Sequence, residues 1–378
     1  MGIIGNTNIL ITMSEVKVDK IYLAALQMVA GIGSARLSSL ISFFGSAELA
    51  WQASKRDLFL CRCLDETIYN KLLIHREKID IYTLAGEWEK QGIYLCSLNE
   101  PEYPKLLLNT FNPPYVLYYR GILPTKELTI GIVGARHASP YGKTVAKMLA
   151  AELAEAGVWV VSGAARGIDT AAHQGALTKG YTVAVLGSGV DVAYPPENSK
   201  LLSQIVECGA VISEYPPGTM AHPGHFPARN RIINGLCLGI VVVEAAEKSG
   251  ALITADFALE EGRDVFAVPG NIFSESSKGT HRLIKQGAKL IDSTVDILEE
   301  YNLGITSQKG PLIVLNTDEE TVYEVLTFDT PVGIEEIVMK ANLNSATVTY
   351  ILLQLELRGL AIEHSGKRYL RIAKEGIK

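Results

Sequence analysis

The sequence predicts an α/β protein built on a doubly wound, Rossmann-like parallel sheet, with a helical region before it and a small winged helix after it. Three observations carry this prediction. Seven apolar, β-branched runs recur about every 25 residues in the middle of the chain, the first ~100 residues show helical patterns, and the last ~65 end in two short strands. The seven runs are residues 128–133, 158–161, 182–186, 210–213, 240–243, 264–268 and 288–291.

Helical segments lie between most of these runs. Residues 143–156 place Val145, Met148, Leu149 and Leu153 on one face and end at Gly157. Continuous apolar strands that alternate with amphipathic helices indicate a parallel sheet covered on both faces. Residues 128–301 are therefore predicted to form the Rossmann-like domain.

The regions on either side follow different patterns. Residues 19–98 are predicted to be helical, with a tight turn at Gly31-Ile32-Gly33 and Ser46 as the N-cap of the helix through Trp51. A connector, 99–127, contains five prolines that break any long element. After a polar linker at 302–311, residues 312–375 read as three helices, the third over 345–358, and two strands at 360–363 and 368–372.

Composition excludes several classes of protein. Hydrophobic residues make up 48% and charged residues 20%, so the chain is globular rather than disordered, and its net charge of −6 means that any nucleic-acid site is a local basic pocket. No apolar stretch reaches the ~20 residues of a membrane span, and the N-terminus lacks the basic start of a secretory signal. The five cysteines form no C-x-x-C pair, which argues against a zinc site and a disulfide framework. We expect a cytoplasmic protein without a metal.

Three glycine-rich loops follow the first three strands, at 134–142, 162–169 and 187–191. Because ligands bind at the carboxyl ends of parallel strands, these loops converge on one edge of the sheet. Glycine lets backbone N–H groups approach an anion, and two arginines add positive charge. The candidate residues here are Arg136, Ser162, Gly163, Arg166, Gly187 and Gly189.

Two common phosphate-binding motifs, the P-loop and the Rossmann fingerprint, are incomplete in this sequence. Gly142-Lys143-Thr144 resembles the end of a P-loop, but His137 stands where the first glycine belongs. Arg136 stands where a Rossmann fingerprint has its second glycine. The sequence therefore predicts no dinucleotide cofactor.

The fourth strand is followed by residues 214–236, which deliver Phe226, Arg229, Asn230 and Arg231 to a short helix. A ring stacks on a base, guanidiniums meet phosphates and an amide pairs with a base edge, which is how single-stranded nucleic acid is held. The alternative is that Phe226 packs in the core and Arg231 pairs with a carboxylate such as Glu244. After the fifth strand, Lys248-Ser249-Gly250 opens a further helix N-terminus that faces phosphate.

Catalytic groups are scarce. Asp169 and His173 lie four residues apart on one helix, but no third ligand or H-E-x-x-H pair accompanies them, and no G-x-S-x-G elbow occurs. Asp169 lies in a helix first turn, where capping accounts for it. The sequence predicts a binding protein rather than an enzyme.

The ordered set of motifs resembles the DprA (Smf) family of DNA-processing proteins over residues 130–300, from GARHASPYG through SEYPPGTMAHPGHFPARNRIINGL to KGTHRLIKQGAKLI. The resemblance implies a homodimeric, non-enzymatic protein that binds and protects single-stranded DNA and loads RecA recombinase during natural transformation. It assigns phosphate contact to Arg136, the basic loop position to Arg166, and the FPxRNR segment to Phe226, Arg229, Asn230 and Arg231. Ala135 departs from the family's usual serine.

The same resemblance implies a sterile-alpha-motif-like, helix-hairpin-helix-type fold for the N-terminal helices and a winged helix at the C-terminus. The third helix of that domain carries Glu356 and, at its end, only Arg358 as a cation, so a protein contact is as consistent with it as DNA. Two rival functions remain: a nucleotide-hydrolysing relative of the phosphoribohydrolase type, and a transcription regulator. The hydrolase motif PGGxGTxxE is matched only by Pro269-Gly270-Asn271, and the winged helix is poor in basic residues.

Overall fold

The computed structural model describes residues 13–124, 128–303 and 315–372. A nine-stranded sheet forms its centre, in the order β1-β2-β6-β5-β4-β3-β7-β8-β9. The strands are β1 Tyr94–Ser97, β2 Val116–Gly121, β3 Thr129–Val133, β4 Trp159–Ser162, β5 Thr182–Leu186, β6 Gly209–Ser213, β7 Gly239–Val242, β8 Asp264–Ala267 and β9 Lys289–Leu290. Strands β3 to β9 correspond to the seven predicted runs. Each of these seven strands is parallel to its neighbours among them. The predicted fold class is confirmed.

Two strands contradict the predicted organisation. Strand β1 lies inside the region 19–98 that was predicted to be wholly helical, and β2 lies inside the predicted connector 99–127. Both pair antiparallel, β1 with β2 and β2 with β6, and so extend the sheet at its edge. The prolines of the connector flank β2 without interrupting it, and β1 has only four residues, too few to show a period against the helix before it.

Helices precede and cover this sheet. The N-terminal helices are α1 Met13–Gln27, α2 Ser34–Phe44, α3 Ala47–Gln52, α4 Lys55–Leu60, α5 Glu66–Lys78 and α6 Ile81–Lys90. As predicted, Ser46 caps α3 by accepting the Leu49 N–H, and Gly45 ends α2 in the left-handed region at φ 90°. The helices of the central part are α7 Lys105–Leu108, α8 Pro140–Glu155, α9 Ile168–Ala176, α10 Ser199–Glu207, α11 His225–Leu236, α12 Gly250–Glu260, α13 Lys278–Lys285 and α14 Val295–Glu300, with 3₁₀ turns at Pro196–Asn198 and Glu275–Ser277.

Alternate residues of each strand enter opposite layers of the core. In β5, Val183 and Val185 pack towards α11 and α12, whereas Ala184 and Leu186 pack towards α10 and the N-terminal helices. Helices α8, α9 and α14 cover the rest of that second face. Every residue of β3 to β7 is buried, which explains why these strands read as uninterrupted apolar runs.

The C-terminal part forms a separate three-stranded sheet with three helices. Its elements are α15 Thr317–Val325, β10 Val332–Gly333, α16 Ile334–Ala341, α17 Ser345–Leu357, β11 Ala361–His364 and β12 Arg368–Arg371, with strand order β10-β12-β11. The predicted third helix and both predicted strands are present. The exposed side of α17 presents Tyr350, Leu353 and Leu357.

Parts of the predicted segments lie outside the described residues: 125–127 of the connector, 304–311 of the linker, and 312–314 and 373–375 of the winged-helix region. None of the described helices is long and apolar enough to cross a membrane. Within the described ranges, no three His, Cys, Asp or Glu side chains gather as a metal site requires.

Candidate nucleic-acid interface

A cleft opens where the carboxyl ends of β3, β4 and β5 meet the N-terminus of α11. Six of its lining residues were predicted from the sequence: Arg136, Gly163, Arg166, Gly187, Phe226 and Arg229. Ala165, Leu186, Tyr194 and Pro195 complete the lining and were not predicted. The crossover order of the sheet therefore brings four separate loops to one place, as expected for a doubly wound fold.

Phe226 lines this cleft beside Arg136 and Tyr194. Its ring is partly exposed, and the Arg136 guanidinium carbon is 5.1 Å from its centroid. On another side lies the ring of Tyr194, 41% exposed, with the two centroids 5.5 Å apart and the planes inclined by 34°. Two aromatic rings and one exposed guanidinium thus share a small surface, a combination that can stack a base and meet a phosphate.

Arg229 forms the floor of the cleft. It is only 4% exposed, its Nη1 donates to the Val185 carbonyl at 2.7 Å, and its buried Nε has no partner among the described residues. Burial lowers the pKa of Arg229 to about 10, so the side chain is still a cation at neutral pH. A Cβ on Gly163 would lie 1.7 Å from Nη1, so only glycine lets the guanidinium occupy this position.

The loop after β4 is held from below by two buried polar side chains. Asp169 accepts the Ala165 N–H at 3.3 Å, and burial raises its pKa while the positive charge of Arg229 opposes that change. Asn198 donates to the Ala164 carbonyl at 2.9 Å and so fixes a residue that has φ 53° without being glycine. Asp169 is therefore a structural group of the loop, as the sequence indicated.

Arg166 is at the rim, where it forms an exposed ion pair with Glu197. The hydrogen bond to Arg166 lowers the pKa of Glu197. The sequence did not indicate Glu197, which lies 31 residues away in the turn after Tyr194. In the free protein this carboxylate competes for the charge that Arg166 offers to a ligand.

Two predicted residues lie beneath the cleft rather than in it. Ser162 is fully buried at the end of β4, where its hydroxyl donates to the Ile132 carbonyl at 2.6 Å. The Gly189 N–H donates to the Thr219 carbonyl at 2.8 Å, and a Cβ there would lie 2.8 Å from the Pro216 carbonyl oxygen. In the free protein both groups already serve the fold, so the direct ligand contact predicted for each residue stays a prediction.

Arg231 and Asn230 also lie outside the cleft lining. Arg231 is two residues beyond Arg229 and so lies on the opposite side of α11, where it donates to the Glu214 carboxylate and to the Asn112 carbonyl. The alternative raised from the sequence, that Arg231 pairs with a carboxylate, is thus correct in kind, although the partner is Glu214 and not Glu244. Glu244 instead accepts from the Ser139 N–H at 2.9 Å and holds the start of α8.

The Lys248-Ser249-Gly250 turn is separate from the cleft. It follows β7, which pairs with β3 on the side away from β4. The Ser249 hydroxyl caps α12 by accepting the Ala251 N–H, and Lys248 is exposed. The structure therefore does not join this predicted group to the others.

Comparison with known proteins identifies the family. A family model described as DNA recombination-mediator protein A matches residues 94–302, more than half of the chain, and one described as the DprA winged helix domain matches residues 307–367. The chain belongs to the DprA (Smf) family. The predicted resemblance is confirmed, and so is the winged helix of this DprA-family chain.

Individual relatives extend this agreement over most of the length. Protein Smf of Synechocystis sp. is 33% identical over 93% of this chain and 99% of its own, and DNA processing protein DprA of Bacillus subtilis is 44% identical over 57% and 74%. The solved DprA structure from Streptococcus pneumoniae is 36% identical and covers 74% of this chain and 97% of its own, with a TM-score of 0.65. That of Helicobacter pylori DNA processing protein A, for which a single-stranded DNA binding mode is described, is 31% identical over 56% and 95%, with a TM-score of 0.50.

Proposed function

We propose that this DprA-family chain binds single-stranded DNA in the cleft between Arg136, Phe226 and the glycine loops, and that it protects that DNA and helps to load RecA recombinase during natural transformation. One observation carries the DNA part of the proposal: an exposed arginine lies over a partly exposed aromatic ring, and a buried arginine lines the same cleft. In a chain of net charge −6, such a local group of cations is the place where a nucleic acid gains affinity.

The cleft suits an unpaired strand better than a duplex. Phe226 and Tyr194 offer ring surface for stacking, which a base can reach only when it is free of its complement. Arg136 is exposed and Arg229 is buried, and both line the cleft, so they offer positive charge at two depths to a flexible backbone. A stiff duplex presents phosphates but hides its base faces, so it would meet the rim cation and leave the rings without a partner.

The experiment compares oligo-dT with a blunt duplex in a fluorescence-anisotropy titration. We expect the single strand to bind more tightly, and Phe226→Ala to lose ~1–3 kcal/mol on the single strand through loss of stacking. Phe59→Ala is the matched control, because Phe59 is 76% exposed on α4 in the helical region. Equal affinity of the wild type for both substrates would contradict the proposed strand preference.

RecA loading and a homodimer follow from family membership rather than from the geometry of the cleft. We propose both, and expect the chain to speed the ATP hydrolysis that RecA performs on DNA coated with single-strand-binding protein. A Phe226→Ala protein should lose this stimulation together with its DNA affinity. If RecA hydrolyses ATP at the same rate with and without the chain, the loading part of the proposal fails while the DNA-binding part stands.

The rival function is hydrolysis of a mononucleotide, since the same cleft offers N–H groups and cations to a single phosphate. Hydrolysis needs a group placed to move a proton. Three carboxylates in or beside the loops already have partners: Asp169 accepts the Ala165 N–H, Asp191 accepts the Gly218 N–H, and Glu197 pairs with Arg166. We therefore expect no hydrolysis of nucleoside mono- or triphosphates above a buffer control, with or without magnesium. Product that disappears in Asp169→Asn would favour the enzyme.

A further inference from the structure

Glu214 connects the helical region to the cleft. It directly follows β6, is 9% exposed, and uses both carboxylate oxygens. One oxygen accepts from the Ser34 hydroxyl at 2.9 Å, and the other accepts from the Arg231 guanidinium. The Glu214 carbonyl also accepts from the Gln27 side chain at 2.8 Å.

Two of these partners, Gln27 and Ser34, belong to the N-terminal helices. Gln27 is the last residue of α1 and Ser34 the first residue of α2, so both flank the turn at Gly31-Ile32-Gly33. The carboxylate thus lies beside the N-terminus of α2, where the helix dipole favours a negative charge. The turn of the helical region is therefore fastened to the end of a central strand.

The third partner belongs to the helix that carries the cleft residues. On α11, Phe226 and Arg229 are three residues apart and face the cleft, whereas Arg231 faces away. A second contact runs parallel to it: the ring of Tyr215, next to Glu214, stacks on His225 with centroids 4.0 Å apart, and His225 lies 3.0 Å from the Gly187 carbonyl. The first contact holds the middle of α11, at Arg231, and the second holds its first residue, His225.

We propose that Gln27, Ser34, Glu214 and Arg231 form a latch through which the N-terminal helical region positions α11, and that Glu214 is a positioning residue for the DNA cleft. The inference rests on the proposed function for its DNA part. A charge-assisted hydrogen bond between partly buried groups is strong and directional, so it limits rotation of the helix about its own axis. A small rotation would move the Phe226 ring and the Arg229 guanidinium together, because both lie on one side of the helix.

The test uses the full chain with Gln27→Ala/Ser34→Ala. These substitutions remove the two hydrogen bonds that the N-terminal helices donate to Glu214, and they leave the cleft and the Glu214–Arg231 pair unchanged in sequence. The matched control is Ser39→Ala/Gln91→Ala, since the Ser39 hydroxyl donates to the Ala35 carbonyl within its own helix and Gln91 is exposed at the end of α6. Two quantities are measured: amide hydrogen exchange over residues 214–236, and affinity for oligo-dT as a function of salt.

We expect exchange in the first half of α11 to become faster, and oligo-dT affinity to fall roughly tenfold, the equivalent of one hydrogen bond to a charged group. The slope of affinity against salt should stay as in the wild type, because no phosphate contact is removed. Faster exchange with unchanged affinity would overturn the positioning role, and unchanged exchange would overturn the latch itself. If the wild type binds no oligonucleotide, the proposed function fails, and the exchange comparison alone decides whether the latch exists.

Discussion

The guanidinium of Arg136 covers the ring of Phe226, with its central carbon 5.1 Å from the ring centroid. A base that stacks on this face must first displace the guanidinium, and the displaced guanidinium is then available to a phosphate. The cation–π contact of the free protein, worth about 0.5–1 kcal/mol at an exposed site, is exchanged for two contacts with the strand. The two side chains therefore act as a coupled pair, and their substitutions should not be additive.

Arg136→Ala should weaken single-stranded DNA binding by about 1–3 kcal/mol and reduce the salt slope by roughly 0.7, the value for one phosphate contact on a single strand. The measurement is a titration between ~50 and ~200 mM salt. Arg56→Ala, an exposed arginine on α4, is the control and should leave both quantities unchanged. If Arg136→Ala also leaves both unchanged, the residue does not belong to the site.

Gly163→Ala should destabilise the protein by roughly 1–3 kcal/mol, because the new methyl group would overlap Arg229 and break its bond to the Val185 carbonyl. Urea unfolding measures this change. Gly86→Ala is the matched control: a Cβ at Gly86 meets nothing within 4 Å in helix α6, so the substitution should stabilise the helix by up to ~1 kcal/mol. Equal effects of the two substitutions would mean that Arg229 is not confined as the structure shows.

The central strands were predictable because burial on both faces leaves a single signal, an uninterrupted apolar run. Strand β5 shows this well, since all of its residues are buried. Strand β1 has the burial pattern of an edge strand, with Tyr94 exposed and only Cys96 and Ser97 buried. Four residues with this pattern give a weak strand signal, and the helical pattern before them and the prolines after them led to the wrong prediction. Strand β1 is at the edge and joins the sheet only through β2, and β2 itself depends on a distant neighbour, because it pairs with β6 about 90 residues later.

The cleft was predictable to the level of loops but not of individual side chains. The glycine loops indicate where an anion binds, yet Ser162 and Gly189 lie in those loops and serve the fold. Arg229 and Arg231 look alike in sequence, and only the rotation of α11 sends one into the cleft and the other to Glu214. Tyr194 follows the end of the third glycine loop by three residues, and its aromatic ring next to a Pro-Pro pair was the signal available for it.

His173 should make stability fall as the solution is acidified. Its Nδ1 lies 2.7 Å from the Thr182 hydroxyl, which donates onward to Val160, and burial together with the charge of Arg229 lowers the pKa of His173 to about 3. In the unfolded chain the His173 ring binds a proton near pH 6.5, whereas in the folded chain it stays neutral until about pH 3. The free energy of unfolding therefore falls as the pH is lowered from 6.5 towards 3, by up to ~1.4 kcal/mol per pH unit.

Urea unfolding at about pH 7.5 and about pH 5.5 measures this loss. The control is His173→Gln, which removes the titrating ring and keeps Asp169, whose raised pKa acts in the opposite direction. The variant should lose less stability on acidification than the wild type does. Identical losses in the two proteins would show that His173 does not contribute to the acid sensitivity.

Glu197→Gln should strengthen single-stranded DNA binding. In the free protein the Glu197 carboxylate pairs with Arg166 at the rim of the cleft, and both side chains are about half exposed, so the pair itself contributes little to stability. A phosphate that approaches Arg166 must displace this carboxylate and is repelled by it. Glutamine keeps the shape and removes the charge, so we expect affinity for oligo-dT to rise by about threefold at low salt, with the gain fading as salt is raised.

The matched control for that substitution is Glu155→Gln. Glu155 pairs with Lys179 at 3.0 Å in an ion pair of similar exposure, and neither residue lines the cleft. Both variants lose one negative charge, so a general change in the field of the protein would strengthen binding in both. A gain confined to Glu197→Gln assigns the effect to Arg166, because only there is the removed charge competing with the strand for the same guanidinium. Equal gains, or none, would remove Arg166 from the path of the DNA and leave Arg136 as the cation that the strand meets at the rim.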